Sequence, residues 1–532
     1  MYRFAVSELS RFEGNTLRIP RPYNAAVDLL HRHVMEGRGE KVAVRDDREA
    51  VSYAQLAARA DAAGRALLRL GLQPEQRVLM CMLDTADFHA VFLGSIKAGL
   101  VPVPVNTLLT TEDYGFLLED SRARALVVSD ALYAKWAPVL AALPSPPAVI
   151  VSTTPLGGPD GGRVRLEALL RQDAGPLEAA PTCSDDVAFW LYSSGSTGRP
   201  KGAIHNHSHL MWTAELYARG VLGLEPSDVI YSAAKLFFAY GLGNSLTFPL
   251  SVGATVVLRA ERATPPAVLK TLAQERPTVF CGVPTLFASV LAAPKGPPPE
   301  APGLRVSTSA GEALPEHVGQ AWRARFGTDI LDGIGSTEML HIFLSNRPKD
   351  LRYGTTGKPV PGYDVKLVDE SGEPVPDGVE GSLWVRGPSA CVAYWNNREK
   401  SLATFHGPWT RTGDTYVRDA DGYYTYAGRS DDMLKVGGIW VSPFEVESAL
   451  ASHDAVLEAA VVGHADPAGL IKPKAFVVLK DPNAASEGLA AELQTFVKSK
   501  LAPYKYPRWI EFVSELPKTA TGKIQRFRLR VS

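Results

Sequence analysis

The sequence predicts an α/β protein in which a parallel sheet covered by helices is followed by a β-rich region and then by a small α+β unit. Three observations predict it. Short apolar runs alternate with helical patterns through the first third of the chain. From Gly354 to Trp395 the texture changes to short β-type runs separated by Gly, Pro and Asp, as an antiparallel or barrel-like region needs. After Asp432 the chain is compact and mixed, with a length of about a hundred residues that suits a small domain.

Taken in order, the alternation reads as a strand at Val42 to Val44, a helix from Tyr53 to Leu70, a strand at Val78 to Leu83, a helix from Asp87 to Ala98 and a strand at Val101 to Val105. Between Leu143 and Asp186 small residues, Pro and Gly mark surface connections, with a short strand at Val149 to Ser152 embedded in them. Pro297 to Pro299 mark another exposed loop. The β-rich region offers strands at Val365 to Val368 and Ser382 to Arg386, and another at Tyr423 to Ala427. The polar segment Gly428-Arg429-Ser430-Asp431-Asp432 is the expected domain junction, dividing residues 1–430 from 431–532. Beyond it lie apolar runs at Ala459 to Val462 and Ala475 to Leu479, a helix near Leu489 to Leu501 and a strand at Ile510 to Val513.

A chain of 532 residues exceeds what one hydrophobic core supports, so two or more domains are required. The 56 Lys and Arg residues balance 57 Asp and Glu, leaving a formal net charge of -1 and no global attraction to nucleic acid or anionic lipid. Small-molecule partners are expected instead. The four cysteines, Cys81, Cys183, Cys281 and Cys391, lie far apart, which argues against a zinc site or a disulfide framework and fits a reducing cytoplasm. No apolar run has the length to span a bilayer, and Met1 to Phe4 lead into polar sequence without an apolar leader core, so a soluble protein is expected. The oligomeric state is open, with a homodimer as one option.

Four clusters carry chemistry. Ser193-Ser194-Gly195-Ser196-Thr197-Gly198-Arg199-Pro200-Lys201-Gly202 follows the apolar run Val187 to Tyr192 and combines hydroxyls, glycines and a cation, the ingredients of a loop that holds a polyphosphate. It departs from the Walker pattern, because Lys201 follows Pro200 and precedes Gly202. The second cluster is Leu331-Asp332-Gly333-Ile334-Gly335-Ser336-Thr337-Glu338, where a hydroxyl beside a carboxylate at a strand end can contact phosphate and offer oxygen to Mg2+. The third, Trp409-Thr410-Arg411-Thr412-Gly413-Asp414, presents one carboxylate suited to ribose hydroxyls. The fourth is Leu516-Pro517-Lys518-Thr519-Ala520-Thr521-Gly522-Lys523-Ile524. Taken singly, each has an ordinary structural reading: a Ser/Gly turn, a helix cap, an Asp in a turn and a solvated terminal lysine. His205, His207 and His209 alternate, but no carboxylate or cysteine accompanies them, and they read as packing behind the first cluster rather than as metal ligands.

In this order, the four clusters resemble those of the adenylate-forming superfamily of acyl-CoA synthetases, adenylation domains and luciferases, over nearly the whole chain. Within it, Leu236-Phe237-Phe238-Ala239-Tyr240-Gly241-Leu242-Gly243-Asn244 and Gly335 to Phe343 look like the benzoate-CoA ligase branch. The resemblance implies a large N-terminal domain of two sheet-and-helix subdomains plus a β-barrel, and a small mobile C-terminal lid hinged at Asp431. It implies that Ser193, Ser194, Gly195, Ser196, Thr197, Gly198 and Lys201 face the ATP phosphates, that Gly311, Glu312, Ala313, Asp332 and Gly333 line the adenine, and that Asp414 with Arg429 takes the ribose. Thr337 would contact the α-phosphate, Glu338 would hold Mg2+, and Lys523 would reach the reacting centre. Ala239, Tyr240, Ala310, Gly335, His341 and Ile342 would surround the acyl group, and Lys435, Gly437 and Gly438 would border the channel for the thiol of coenzyme A.

The function so implied is ATP-dependent activation of benzoate or a small substituted benzoate, followed by transfer to coenzyme A. Two other functions fit the same residues: an aryl acid adenylation enzyme that loads a separate carrier protein, and a nucleotide-binding protein without catalysis. Phe237 and Phe238 read equally as a slot for a ring and as ordinary core.

Overall fold

The computed structural model describes residues 7–13, 16–152, 164–193, 199–295, 301–311, 314–429, 434–436, 439–441, 443–517 and 526–529. Two sheets with helices on their faces dominate the first part. One is five-stranded and wholly parallel, in the order Val101–Pro104, Arg77–Cys81, Ala125–Ser129, Ala148–Ser152 and Val164–Arg165. Its three central strands are nearly all buried, as expected where helices cover both faces of a parallel sheet. The helix Tyr53–Arg69 begins where the Ser52-x-x-Gln55 spacing forms a capping box.

The second sheet has nine strands, and its parallel heart runs Ile330–Gly335, Val306–Ser309, Val279–Gly282, Val229–Ser232, Thr255–Val257 and Val42–Arg45. Antiparallel strands close both edges: Ile342–Ser345 and Lys358–Pro359 at one, Ala50–Ser52 at the other. One continuous core joins the two sheets through Phe88, Phe92, Phe189, Tyr217 and Phe248.

From residue 364 onward, Asp364–Val368, Glu380–Arg386, Trp409–Arg418, Phe405–His406 and Tyr424–Arg429 form an antiparallel half-barrel sheet. The last of these strands includes Gly428 and Arg429, which the sequence reading places in the junction; backbone pairing with Trp409–Arg418 extends it that far. The final sheet, Val456–Ala465, Ile471–Leu479 and Trp509–Phe512, packs under the helices Pro443–Ala451 and Glu487–Lys500 around Val446, Leu450, Val461, Val477, Leu493 and Val497. No helix among the described residues is long and apolar enough to cross a membrane.

Candidate active site

Strand polarity determines where a site can form. In an open α/β sheet, loops at the carboxyl ends of parallel strands converge on one crevice. Val229–Ser232 leads there to the segment of Ala239 and Tyr240, Val306–Ser309 leads to Ala310 and Gly311, and Ile330–Gly335 ends in Ser336, Thr337 and Glu338.

The hairpin Val187–Ser193 and Lys201–Asn206 brings Ser193 opposite Lys201 at its loop end. Its second strand is also held from the other side: Ile204 N–H donates to Ala393 C=O at 3.0 Å, and Trp395 N–H donates to Gly202 C=O at 2.7 Å. This anchoring aligns Lys201 with the second cluster. Ser193 Oγ donates to Glu338 Oε1 at 3.3 Å, Tyr394 Oη donates to the same oxygen at 2.7 Å, and the Lys201 ammonium lies 4.6 Å from the Tyr394 ring centroid. Burial alone would raise the Glu338 carboxyl, but the Lys201 charge and the Tyr394 hydroxyl outweigh it, and its pKa is lowered. Glu338 is therefore ionised.

Thr337 and Glu338 do not cap a helix. They lie in a turn after the strand, where Leu340 N–H donates to Thr337 C=O at 3.1 Å. His205 Nε2–H donates to the same carbonyl at 2.9 Å; burial lowers the pKa of this imidazole to about 4, so it is neutral. His207 Nδ1 accepts from Ala25 N–H at 3.1 Å, and His209 is buried beside His205.

Asp332 pairs in register with Ser309 and is buried. Desolvation pushes its carboxyl well above the ordinary carboxylate range, only partly offset by the Leu314 N–H, the Ser309 hydroxyl, the Gly333 N–H and the nearby Lys435 charge. Lys435 belongs to the short hairpin Leu434–Val436 and Ile439–Val441, so a C-terminal element brings a positive charge into the neighbourhood of Asp332. A second link joins the two regions where Asn106 Nδ2 donates to Tyr504 Oη at 3.3 Å. Asp414 is buried within the strand Trp409–Arg418, opposite Arg429 and not in a turn.

Tyr240, Ala310 and Ile342 belong to one hydrophobic cluster, and His341 lies among tilted and edge-on rings. Tyr240 Oη donates to Thr308 C=O at 2.9 Å, and Tyr217 Oη lies 2.9 Å from Thr308 Oγ1. The His341 ring lies 4.4 Å from Phe248, 5.3 Å from Tyr217 and 5.5 Å from Tyr240. Burial lowers its pKa to about 3. Gly335 is required where this strand turns back, because a Cβ there would stand 2.5 Å from His341 O. Ala239 begins the neighbouring short helix. Phe237 is buried and Phe238 half-buried, their rings 4.4 Å apart.

Ser194, Gly195, Ser196, Thr197, Gly198, Glu312, Ala313, Asp431, Gly437, Gly438 and Lys523 lie outside the described residues, as does the side chain of Arg429. Sequence reasoning missed Tyr394, Tyr217, Phe248 and Thr308. Tyr394 is 56 positions from Glu338 in the chain and carries no local motif, so only the fold could reveal it.

Against known proteins, residues 31–395 match the profile of the AMP-binding enzyme family and residues 445–523 match that of the AMP-binding enzyme C-terminal domain. A benzoate–CoA ligase of Thauera aromatica is 58% identical over 532 residues, covering 100% of both chains. The crystal structure of a benzoate CoA ligase from Burkholderia xenovorans LB400 superposes with a TM-score of 0.74 at 54% identity, covering 96% of this chain and 100% of that one. An anthranilate CoA ligase in complex with anthranoyl-AMP gives a TM-score of 0.76 at 45% identity, covering 96% and 98%.

Proposed function

Since the chain belongs to the AMP-binding enzyme family, we propose that it is an AMP-forming aryl-CoA ligase that activates benzoate or a small substituted benzoate with ATP and transfers the acyl group to coenzyme A. The observation that carries this reading is the convergence of Lys201, Ser193 and Tyr394 on an ionised Glu338. The similarity to a benzoate–CoA ligase over the full chain supports the acid class.

A carboxylate is a poor acyl donor because its leaving group is oxide, so it is first joined to AMP. That step brings two anions together, and positioned positive charge lowers the barrier more than a base does. In our reading Lys201 and the loop 193–202 hold the β- and γ-phosphates. Thr337 meets the α-phosphate. Asp414 with Arg429 takes the ribose, and Gly311 to Ala313 with Asp332 and Gly333 line the adenine. Lys523 approaches the reacting oxygen. An ionised carboxylate among hydroxyls is the hard oxygen set that suits Mg2+, so Glu338 would hold that ion. When bound, Mg2+ neutralises charge on the departing pyrophosphate.

For the thiol step we propose that residues 431–532 turn about Asp431, withdrawing Lys523 and presenting Lys435, Gly437 and Gly438 to the pantetheine arm. The position of Lys435 beside Asp332 supports that arrangement. The acyl group would sit among Ala239, Tyr240, Ala310, Gly335, His341 and Ile342, where the bulk of Tyr240 and His341 would obstruct a long alkyl chain.

The test is pyrophosphate release with a panel of aryl and alkyl carboxylates, with and without coenzyme A. Benzoate-dependent release with AMP and benzoyl-CoA as products is expected. Release without thioester formation would point instead to a carrier-loading enzyme, and no release with any acid would overturn the reading.

A further inference from the structure

We propose that Gly243 is a positioning residue for acid selectivity: by leaving its side-chain volume empty it seats the His341 imidazole, and so sets the depth of the slot that receives the aromatic ring of the acid. The inference rests on the proposed acyl pocket and deepens it.

Backbone freedom does not explain the glycine. Gly243 has φ -59° and ψ -58°, ordinary helical values that alanine adopts without strain. In such a place alanine is the better helix former by about 1 kcal/mol, so a glycine there calls for a packing explanation. The surroundings supply one. A Cβ on Gly243 would stand 2.4 Å from His341 Cδ2 and 2.7 Å from His341 Nε2, with Phe248 Cζ next at 3.1 Å. The imidazole edge therefore occupies the volume that any other side chain would fill.

The ring has little freedom to retreat unnoticed. His341 is buried, Phe248 stands edge-on at 4.4 Å and is itself fully buried, and Tyr217 at 5.3 Å is fixed by its hydroxyl contact with Thr308. His341 Nε2–H also donates to Tyr240 C=O at 3.4 Å, which ties the ring to the short helix Ala239–Leu242 that Gly243 terminates. Nδ1, on the other side of the ring, has no hydrogen-bond partner among the described residues. Any displacement large enough to admit a methyl group moves a pocket wall, because close-packed interiors do not absorb such volume locally.

The experiment compares Gly243→Ala, His341→Ala and the double variant, reading kcat and KM for benzoate, for ring-substituted benzoates and for ATP, together with a thermal melt. Gly243→Ala is expected to raise the benzoate KM roughly 10-fold or more, within the range that one methylene commands in an apolar pocket, with a larger effect on substituted rings and little on the ATP KM. In the His341→Ala background the same substitution is expected to change the benzoate KM by less than about twofold, because the clash is gone. Equal effects in both backgrounds, or an unchanged acid KM in Gly243→Ala, would overturn the proposal. Unaltered acid preference in His341→Ala would instead overturn the pocket reading, and the proposal with it. If Gly243→Ala does not fold, a soluble double variant supports the clash with His341, and an insoluble one refutes it.

Discussion

The phenol of Tyr394 and the carboxylate of Glu338 meet at 2.7 Å although they come from different layers of the fold. A hydrogen bond to a charged group contributes about 1.5–3 kcal/mol. Tyr394→Phe is therefore expected to lower catalytic efficiency roughly tenfold or more, and to raise the Mg2+ concentration needed for half-maximal adenylation. Titration of pyrophosphate release against Mg2+ reads both, and an unshifted midpoint would remove Tyr394 from the site.

Asp414 is a buried carboxylate proposed to face the ribose. Asp414→Ala is expected to raise the ATP KM by about 10- to 100-fold, the cost of leaving ribose hydroxyls without an acceptor. The variant should also cease to discriminate ATP from its deoxy analogues. Retained discrimination would assign the ribose to another residue.

Lys523 is proposed to act in one half-reaction only. Lys523→Ala is expected to slow formation of the acyl-adenylate by roughly a hundredfold or more while leaving conversion of supplied benzoyl-AMP to thioester near normal. Rapid-quench measurement of each half-reaction decides this, and equal loss in both would contradict the moving lid.

Acid should destabilise the fold through its buried imidazoles. Burial lowers His33, His89, His205 and His207 each to about 4 and His341 to about 3. The sign follows from linkage: above the ordinary histidine value near 6.5 both states are neutral, while between that value and about 4 the unfolded chain binds protons that the native one refuses. Stability should fall as pH drops through this window, by up to about 1.4 kcal/mol per pH unit for each such histidine. Urea unfolding at pH 7, 6 and 5 measures it, and a free energy independent of pH would refute it.

Strand and helix alternation was legible because parallel strands buried on both faces leave unbroken apolar runs, as at Arg77–Cys81 and Val101–Pro104. The stretch proposed to face the phosphates stands out in the sequence because Gly, Ser and Lys concentrate from Ser193 to Gly202. The partners around the site do not. Tyr394 reaches Glu338, and Tyr217 and Phe248 frame His341, through contacts spread across the chain, and a single buried aromatic reads as core until the fold assembles its neighbours. Gly428 and Arg429 look like linker by composition, yet backbone pairing with a ten-residue strand draws them into the half-barrel.

The strand Lys201–Asn206 is gripped on both edges, by Val187–Ser193 and by the backbone of 392–395. The latter segment also takes hold of Glu338, through Cys391 N–H on its carbonyl at 2.7 Å and through Tyr394 on its side chain. Lys201 and Glu338 are thus anchored to one backbone strip. A displacement of that strip would shift both charges in concert, making residues 391–395 a drive shaft between the half-barrel and the proposed phosphate site.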